Sequence, residues 1–270
     1  MTATTESAGR LAARDRRSAP DAGTPVLEPR PGGIADRVAA RAQGRHPVTV
    51  FVAVMVAGYL SLSGLTMLLG LLLLDVVLPF DGLGHDDEHV NVVLAAHRSG
   101  LLNTASDVMS KIADVYAIPA VVAVAVLAAA ARRHWRIAGF VLAAITVEAA
   151  AYRVTTLVIE RHRPRVSHLD QLPMMASYPS GHVAASVAVF VGVTLLITSR
   201  FRNTALRVVC WTLALAIPPL VALARMYRGM HHPSDTIAGL LLGIGALLVA
   251  LAAARCAGAV AERRRQQRPA

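Results

Sequence analysis

The chain has 270 residues, of which 55% are hydrophobic and 16% are charged, and its mean hydropathy is +0.52. Soluble globular proteins are about 45–50% apolar and about 25% charged, so these values exclude a disordered chain and disfavour a soluble enzyme. Only 4% of the residues are aromatic, and the apolar content is mostly Ala, Val and Leu. This composition is typical of a helical membrane bundle.

The net charge is +10, from 27 basic and 17 acidic residues. A basic chain suits either nucleic acid or a membrane surface. No basic stretch is interleaved with aromatic residues and the charges flank apolar runs, so we expect a lipid bilayer and no nucleic acid as the partner. The two cysteines, Cys210 and Cys256, are too few for a disulfide framework and are expected to be free, buried thiols.

Residues 1–45 are rich in Ala, Arg, Pro and Gly, which predicts a disordered basic tail. The apolar run that follows starts too late and is too long for a cleavable signal peptide. A membrane domain is predicted at 46–258 and a short basic tail at 259–270. Since a helix needs about 20 apolar residues to cross a membrane, six apolar segments are predicted to span it. They lie at about 48–74, 115–131, 137–159, 181–199, 208–224 and 236–254.

The predicted fold class is therefore all-α, a bundle of six transmembrane helices. The connection between the first two spans carries apolar residues at near-helical spacing, at Val90, Val93, Leu94 and Leu101. An amphipathic helix lying in the membrane interface is the first interpretation, and an ordinary packed loop helix is the alternative.

The distribution of basic residues predicts the orientation of the chain. Most of them fall in the two tails and in the turns at 131–137 and 200–207. Because Lys and Arg favour cytoplasmic loops, both termini are predicted to be cytoplasmic in a multi-pass protein of the plasma (inner) membrane.

Three polar clusters interrupt the apolar pattern. The first is R-H-R-P-R at 161–165 after the third span, and the second is P-S-G-H at 179–182 before the fourth. The third consists of Arg225, His231 and Asp235 between the fifth and sixth spans. The parity of the spans places all three clusters on one face of the membrane, the extracytoplasmic face.

Each cluster offers groups that bind an anion. Arg163 and Arg225 can bind phosphate oxygens bidentately and keep their charge. Ser180 adds a hydroxyl donor, and Gly181 opens a helix whose first amides are unpaired and lets the backbone approach a ligand. His182, in the first turn of that helix, can pass a proton to a leaving oxygen.

Pro233 lies between His231 and Asp235, which predicts a helix that starts at Pro233 with His231 on the preceding loop. Asp235 is then expected to hydrogen-bond one ring nitrogen of His231 and leave the other as a nucleophile. No Cys, His or carboxylate cluster has the spacing of a metal site, so metal-independent phosphoryl chemistry without a cofactor is predicted.

The three clusters resemble the signature of the type 2 phosphatidic acid phosphatase superfamily, K-x6-R-P, P-S-G-H and S-R-x5-H-x3-D, over about 75–254. That superfamily also includes vanadium haloperoxidases and bacterial acid phosphatases. The resemblance implies a six-helix membrane bundle that hydrolyses a phosphomonoester or diphosphate of a lipid. Phosphatidic acid, phosphatidylglycerol phosphate and a polyprenyl diphosphate all remain open as the substrate.

The resemblance also implies a role for each matching residue. His231 is the nucleophile that forms a phosphohistidine, Asp235 orients it, and His182 is the general acid and later the base. The groups that hold the phosphoryl oxygens are Arg163, Arg225, Ser180 and the amide of Gly181.

The sequence departs from the signature at two positions. Thr156 stands in place of the lysine and Ala224 in place of a serine that is common in the family. Arg153, one helical turn before Thr156, is a candidate for the missing charge, and a structural ion pair with Glu148 is an equal alternative.

Two rival functions fit part of the pattern. A non-catalytic lipid-phosphate binder or transporter fits the two departures, but binding alone needs no nucleophile. A vanadate-dependent haloperoxidase uses the same set of anion-binding groups, but six membrane spans argue against it.

Overall fold

The structure, a computed structural model, describes residues 24–80, 82–171 and 176–267. All the regular secondary structure in these ranges is helical. The α-helices are α1 (Ile34–Arg41), α2 (Pro47–Leu72), α3 (Leu83–Ala96), α4 (Gly100–Ile112), α5 (Ala117–Ala131), α6 (Trp135–Val158), α7 (Gly181–Ser186), α8 (Gly192–Thr198), α9 (Thr204–Tyr227) and α10 (Pro233–Gln266). A π-helical turn, Leu73–Val77, extends α2, and another, Val187–Val191, joins α7 to α8.

Several of these helices are long and apolar enough to cross a membrane. The five segments that meet this condition are Pro47–Val77, Trp135–Val158, Gly181–Thr198, Thr204–Tyr227 and Pro233–Gln266. Helices α4 and α5 meet it together but are bent by 41° where they join, and counting them as one span makes six. The chain is a multi-pass membrane protein, and the prediction of an all-helical bundle is confirmed for the residues that the structure describes.

The second predicted span coincides with α5, which is too short to cross alone. Its 15 residues rise about 22 Å, whereas the hydrocarbon core is about 30 Å thick. The sequence analysis assigned the residues of α4 to the connection between the first two spans, because Asn103, Asp107 and Lys111 interrupt its apolar pattern. The fifth predicted span, by contrast, is one uninterrupted helix with Pro218 and Pro219 inside it.

Helix α10 is the centre of the bundle and packs against α1, α2, α6 and α7. Its inner face consists of small residues, and Ala246 and Ala250 are fully buried there. A Cβ atom at Gly239 would overlap the carbonyl oxygen of Ser180, and one at Gly243 would lie 2.5 Å from that of Ala184. These two glycines therefore allow α7 to lie directly against α10.

Part of the predicted N-terminal tail is ordered, which differs from the expectation of a disordered segment at 1–45. Leu27 is fully buried in the core beside Phe140. Ala35 and Ala39 on α1 pack against Val260 of α10. The tail expected at 259–270 is likewise helical as far as Gln266, because α1 covers this end of α10; residues 1–23 and 268–270 lie outside the described ranges.

Helix α3 lies in the connection between α2 and α4. Asp87 and Asn91 are turned into the protein, and Asn91 is completely buried. Val90 and Val93 are exposed by 39% and 40%. The polar side of α3 therefore packs against the end of the bundle where α9 ends and α10 begins.

Candidate active site

The three polar clusters meet at one end of the bundle, where α6 and α9 end and α7 and α10 begin. An Nη1–H of Arg163 donates to the carbonyl oxygen of Met230 at 2.5 Å, which joins the first cluster to the third. The amide of Ser180 donates to the carbonyl oxygen of Asp235 at 3.0 Å, which joins the second to the third. The convergence expected from the parity of the spans is therefore present in the structure.

The turn between α9 and α10 presents His231 to this site. Gly229 has a φ of +75°, a conformation that favours glycine after the last turn of a helix. The amide of Met230 donates back to the carbonyl oxygen of Arg225 at 2.9 Å, which closes α9. Pro233 is the first residue of α10, as the sequence predicts, so His231 lies on a short, fixed linker.

His231 is buried and hydrogen-bonded on one side of its ring. Its Nδ1 lies 2.7 Å from the carbonyl oxygen of Ser177. A carbonyl only accepts, so Nδ1 carries the hydrogen and Nε2 keeps its lone pair. Burial, and then the charge of Arg225, lower the pKa of His231 well below its ordinary value, which outweighs the opposite effect of Asp235. The ring is therefore neutral near pH 7, as a nucleophile must be.

Asp235 supports His231 indirectly, which corrects the expected hydrogen bond between the two side chains. The Asp235 carboxylate accepts from the His232 amide at 2.8 Å and from the hydroxyl of Ser177. The first of these bonds belongs to a capping box at the start of α10. Because Ser177 also provides the carbonyl that binds His231, Asp235 fixes the residue that orients the imidazole.

Arg161 is the buried partner of Asp235, and residue type and spacing alone did not assign it a role in the site. It is 7% exposed and forms ion pairs with Asp87, at 2.5 Å, and with Asp235. Its Nη1–H also donates to the hydroxyl of Ser234 at 2.7 Å. The available signal was the acidic stretch that contains Asp87, since a buried arginine requires a buried acid.

Arg225 is 1% exposed and is held by one nitrogen. Its Nη1 donates to the hydroxyl of Ser110 and to the carboxylate of Asp170, both at 2.6 Å. Six buried side-chain polar atoms in the described ranges lack a hydrogen-bond partner. Three of them belong to the predicted site, namely Nε and Nη2 of Arg225 and the hydroxyl of Ser180.

Buried donors without acceptors are costly, at about 1–3 kcal/mol each, and therefore indicate a place where a ligand accepts from them. A phosphate group is rich in acceptor oxygens and suits the Nε and Nη2 edge of a guanidinium group. Arg163 adds a second positive charge near the imidazole, since its charge acts on the pKa of His231 together with that of Arg225. Burial lowers the pKa of Arg163 itself, although Tyr152 and Asp235 oppose this effect.

Gly181 and His182 open α7 beside the imidazole. A Cβ atom at Gly181 would lie 2.9 Å from the ring of Tyr152, so the aromatic ring occupies the space that the glycine leaves. His182 is partly exposed in the first turn of α7. A positive charge on His182 would lower the pKa of His231, so the two imidazoles are near enough to interact electrostatically.

The two positions that depart from the signature, Thr156 and Ala224, lie in α6 and α9. Thr156 is buried and its hydroxyl donates to the carbonyl oxygen of Arg153 at 2.9 Å. The side chain of Arg153 is exposed, whereas Glu148 is buried. Ala224 is buried one residue before Arg225.

Cys210 and Cys256 are free thiols, Cys256 buried and Cys210 partly so. In the part of the chain that the structure describes, no group of three or more His, Cys, Asp or Glu side chains is arranged to hold a metal ion.

Residues 137–257 match the family model described as the PAP2 superfamily. The matched stretch contains all three polar clusters, so the resemblance to the type 2 phosphatidic acid phosphatase superfamily is confirmed. The chain also resembles a solved structure, described as the first transmembrane PAP2 type phosphatidylglycerolphosphate phosphatase from Bacillus subtilis. The TM-score is 0.57 at 20% identity, covering 82% of this chain and 97% of the other. This likeness shows a common fold.

Two curated relatives carry the names of phosphatases. Decaprenylphosphoryl-5-phosphoribose phosphatase of Mycobacterium tuberculosis is 31% identical over 121 residues, which are 43% of this chain and 60% of that protein. Undecaprenyl-diphosphatase of Sulfolobus acidocaldarius is 36% identical over 104 residues, 38% of this chain and 46% of that protein. The chain therefore spans about half of the length of the relatives that it matches.

Proposed function

We propose that this chain is an integral membrane phosphatase that hydrolyses a phosphomonoester or diphosphate of a lipid through a phosphohistidine, without a metal ion. The observation that carries the proposal is the neutral, buried imidazole of His231 next to Arg225, whose Nε and Nη2 lack partners. A site for binding alone needs the arginine but not a nucleophilic nitrogen.

The reaction divides into two displacements at phosphorus. In the first, Nε2 of His231 attacks, the bond to the leaving oxygen breaks, and His182 gives that oxygen a proton. The imidazole becomes positively charged, and the Ser177 carbonyl and the Asp235 carboxylate stabilise that charge. In the second, His182 takes a proton from a water molecule whose oxygen attacks phosphorus. The N–P bond breaks as the new O–P bond forms, His231 becomes neutral again, and inorganic phosphate leaves.

The phosphoryl oxygens need donors while their charge is redistributed in each displacement. Arg225, Arg163 and Ser180 supply them, with the amide of Gly181. Arg153 remains a candidate for the charge that the missing lysine would supply, and unchanged turnover in Arg153→Ala would exclude it.

A lipid carrying a terminal phosphate is the proposed class of substrate. The similar proteins are named as phosphatases of a decaprenylphosphoryl-5-phosphoribose, an undecaprenyl diphosphate and a phosphatidylglycerol phosphate. Phosphatidic acid joins these as a candidate from the sequence. In each of them an apolar tail stays in the bilayer while a phosphate enters the polar end of the bundle.

The proposed arrangement in the membrane has six spans, with α4 and α5 as one bent span. Helix α3 then lies in the interface, with Val90 and Val93 towards lipid and Asp87 and Asn91 towards the site. Both termini are placed in the cytoplasm and the active site on the extracytoplasmic face of the plasma membrane, with the phosphatase domain at 46–258.

The experiment is a panel of lipid phosphates presented in detergent micelles with EDTA. We expect phosphate release from at least one lipid by the unmodified protein. His231→Ala should reduce it by at least about 10³-fold, since the first displacement lacks its nucleophile. His162→Ala is the matched control, because His162 lies in the first cluster between Arg161 and Arg163 but is exposed. Its loss should leave turnover within twofold.

Two other results would replace the proposal. Binding of lipid phosphate without turnover, equal in the His231 variant, would indicate a binder or transporter. Halide oxidation that requires added vanadate would indicate a haloperoxidase.

A further inference from the structure

Arg225 is fixed by groups that none of the three motifs contains. Asp170 lies in the connection between α6 and α7, and Ser110 lies on α4, and both accept from the same nitrogen, Nη1. This leaves the opposite edge of the guanidinium, Nε and Nη2, without partners. That edge presents two parallel donors, the arrangement that binds two oxygens of one phosphate.

Asp170 is itself anchored by Arg228, which lies three residues after Arg225 and directly follows the end of α9. Nε of Arg228 donates to the Asp170 carboxylate at 2.8 Å, and Nη2 donates to it as well. The remaining N–H groups of Arg228 have acceptors, which are the Asn103 and Leu169 carbonyl oxygens and the Ser106 hydroxyl, each at 3.3 Å.

All five N–H donors of Arg228 are thus occupied, and the residue is 6% exposed. It has no donor to offer a phosphate in this arrangement.

We propose that Asp170 and Arg228 are positioning residues that fix the guanidinium of Arg225 with its Nε and Nη2 edge towards the phosphoryl group of the substrate. The assignment rests on the proposed function, which makes Arg225 a phosphate-binding residue. Neither Asp170 nor Arg228 touches the substrate.

The carboxylate of Asp170 has an alternative interpretation. It could compete with the phosphate group for Arg225 and repel the substrate. The charges decide against it. Asp170 is shared by two arginines. The second acid beside Arg228, Asp107, is itself paired with Lys111 at 2.6 Å, so the cluster keeps a net positive charge. Burial alone would raise the pKa of Asp170, but the hydrogen bond from Arg228 and the charge of Arg225 outweigh it and hold this pKa below its usual range. Asp170 therefore remains an ionised acceptor at any physiological pH.

The test compares Asp170→Asn and Arg228→Gln with Asp107→Asn. Asp107 is the matched control, since it lies 3.4 Å from Nη2 of Arg228 and has no hydrogen bond to Arg225. The probe is orthovanadate, which imitates the phosphoryl group in transfer, with its dissociation constant measured by calorimetry on the detergent-solubilised full chain. Turnover and the midpoint of thermal unfolding are measured on the same samples.

We expect both variants to weaken vanadate binding by at least about tenfold, and the double variant to be no weaker than the worse single one, because the two residues act as one unit. Asp107→Asn should bind within twofold of the unmodified protein. Asp170→Glu, which keeps the charge, should recover part of the affinity, and it also provides the test if Asp170→Asn does not fold.

The proposal is overturned if folded Asp170→Asn binds vanadate as tightly as the unmodified protein or more tightly, the result for a competitor. It is also overturned if the variants change only the unfolding midpoint, or if the unmodified protein does not bind vanadate. Vanadate binding that is weakened in both variants, in a protein without turnover on any lipid phosphate, would refute the proposed function and leave the positioning role intact.

Discussion

The imidazole of His231 has one hydrogen-bonded nitrogen, Nδ1, and one nitrogen with a free lone pair, Nε2. Its Nδ1–H donates to the Ser177 carbonyl, and the Asn91 amide donates to the carbonyl of His231 itself at 2.9 Å. The ring and its backbone are therefore held from two sides. In the proposed mechanism, the ring gains a positive charge when Nε2 attacks phosphorus. The Ser177 carbonyl, and the Asp235 carboxylate behind it, stabilise that charge.

The pH dependence of His231 follows from its burial. A folded-state pKa lowered beneath the ordinary 6.5 means that the unfolded chain binds the proton more readily. The contribution of His231 to stability is then complete above pH 6.5 and is lost as the pH falls below it towards the lowered pKa.

NMR of protein labelled with ¹⁵N-histidine measures this directly, with the resonance assigned by its loss in His231→Asn. We expect His231 to remain neutral, with the hydrogen on Nδ1, as the pH is lowered from 8 through 6.5. A ring that is half protonated at or above pH 6.5, or that carries its hydrogen on Nε2, would contradict the geometry.

The residues within the three motifs were predictable from the sequence. The residues that hold them in place were not. His231, Arg163 and Arg225 carry chemistry that residue type and spacing reveal. Ser177 acts through its carbonyl, which any residue possesses. Arg161 and Asp170 depend on which acids and bases the loops bring together, and this is set by the path of the chain rather than by its periodicity.

Among the helices, the contact between α7 and α10 determines where the site lies. The two helices start side by side, joined by the Ser180 amide and the Asp235 carbonyl. Gly239 faces Ser180 at this point, without space for a Cβ atom. Since the obstacle is backbone rather than a flexible side chain, the helices must separate to admit a methyl group.

Gly239→Ala is therefore expected to destabilise the protein by about 1–3 kcal/mol, the usual cost of overpacking, and to reduce lipid phosphate hydrolysis by tenfold or more. Gly64→Ala on α2 is the matched control, because a Cβ atom there has no neighbour within 4 Å. It should leave activity unchanged and unfolding at the same or a higher temperature. Thermal unfolding and turnover in detergent provide the comparison, and equal effects of the two substitutions would show that the contact does not position the site.

Helix boundaries were predictable where a single strong signal marks them. Pro233 marks the start of α10, and the uncharged run after Pro47 marks α2. The sequence did not reveal α1, because Ala35 and Ala39 are weak apolar signals among arginines and gain their importance only by packing on α10. The bend between α4 and α5 was missed for the opposite reason, since polar residues of α4 that look exposed contact α9.

For the molecule as a whole, the proposed orientation can be tested with single cysteines. Asp86→Cys and Arg202→Cys both replace exposed residues, on opposite sides of the membrane in the proposed arrangement. They are introduced into a chain with Cys210→Ser and Cys256→Ala. In intact cells, a membrane-impermeant maleimide should label the Asp86→Cys protein, and it should label the Arg202→Cys protein only after permeabilisation. The reverse pattern would place the site in the cytoplasm.

The first turns of α10 have two sides with different constraints. The inner side is fixed by main-chain contact at Gly239 and by the carboxylate of Asp235, whereas Ile237, Leu240 and Leu241 face outwards and are exposed. For the proposed lipid substrate, outward substitutions alter the surface available to its apolar tail, without moving the imidazole or the guanidinium groups. Under the proposed function, this architecture separates preference for a hydrocarbon carrier from bond cleavage, so evolution can change the first while conserving the second.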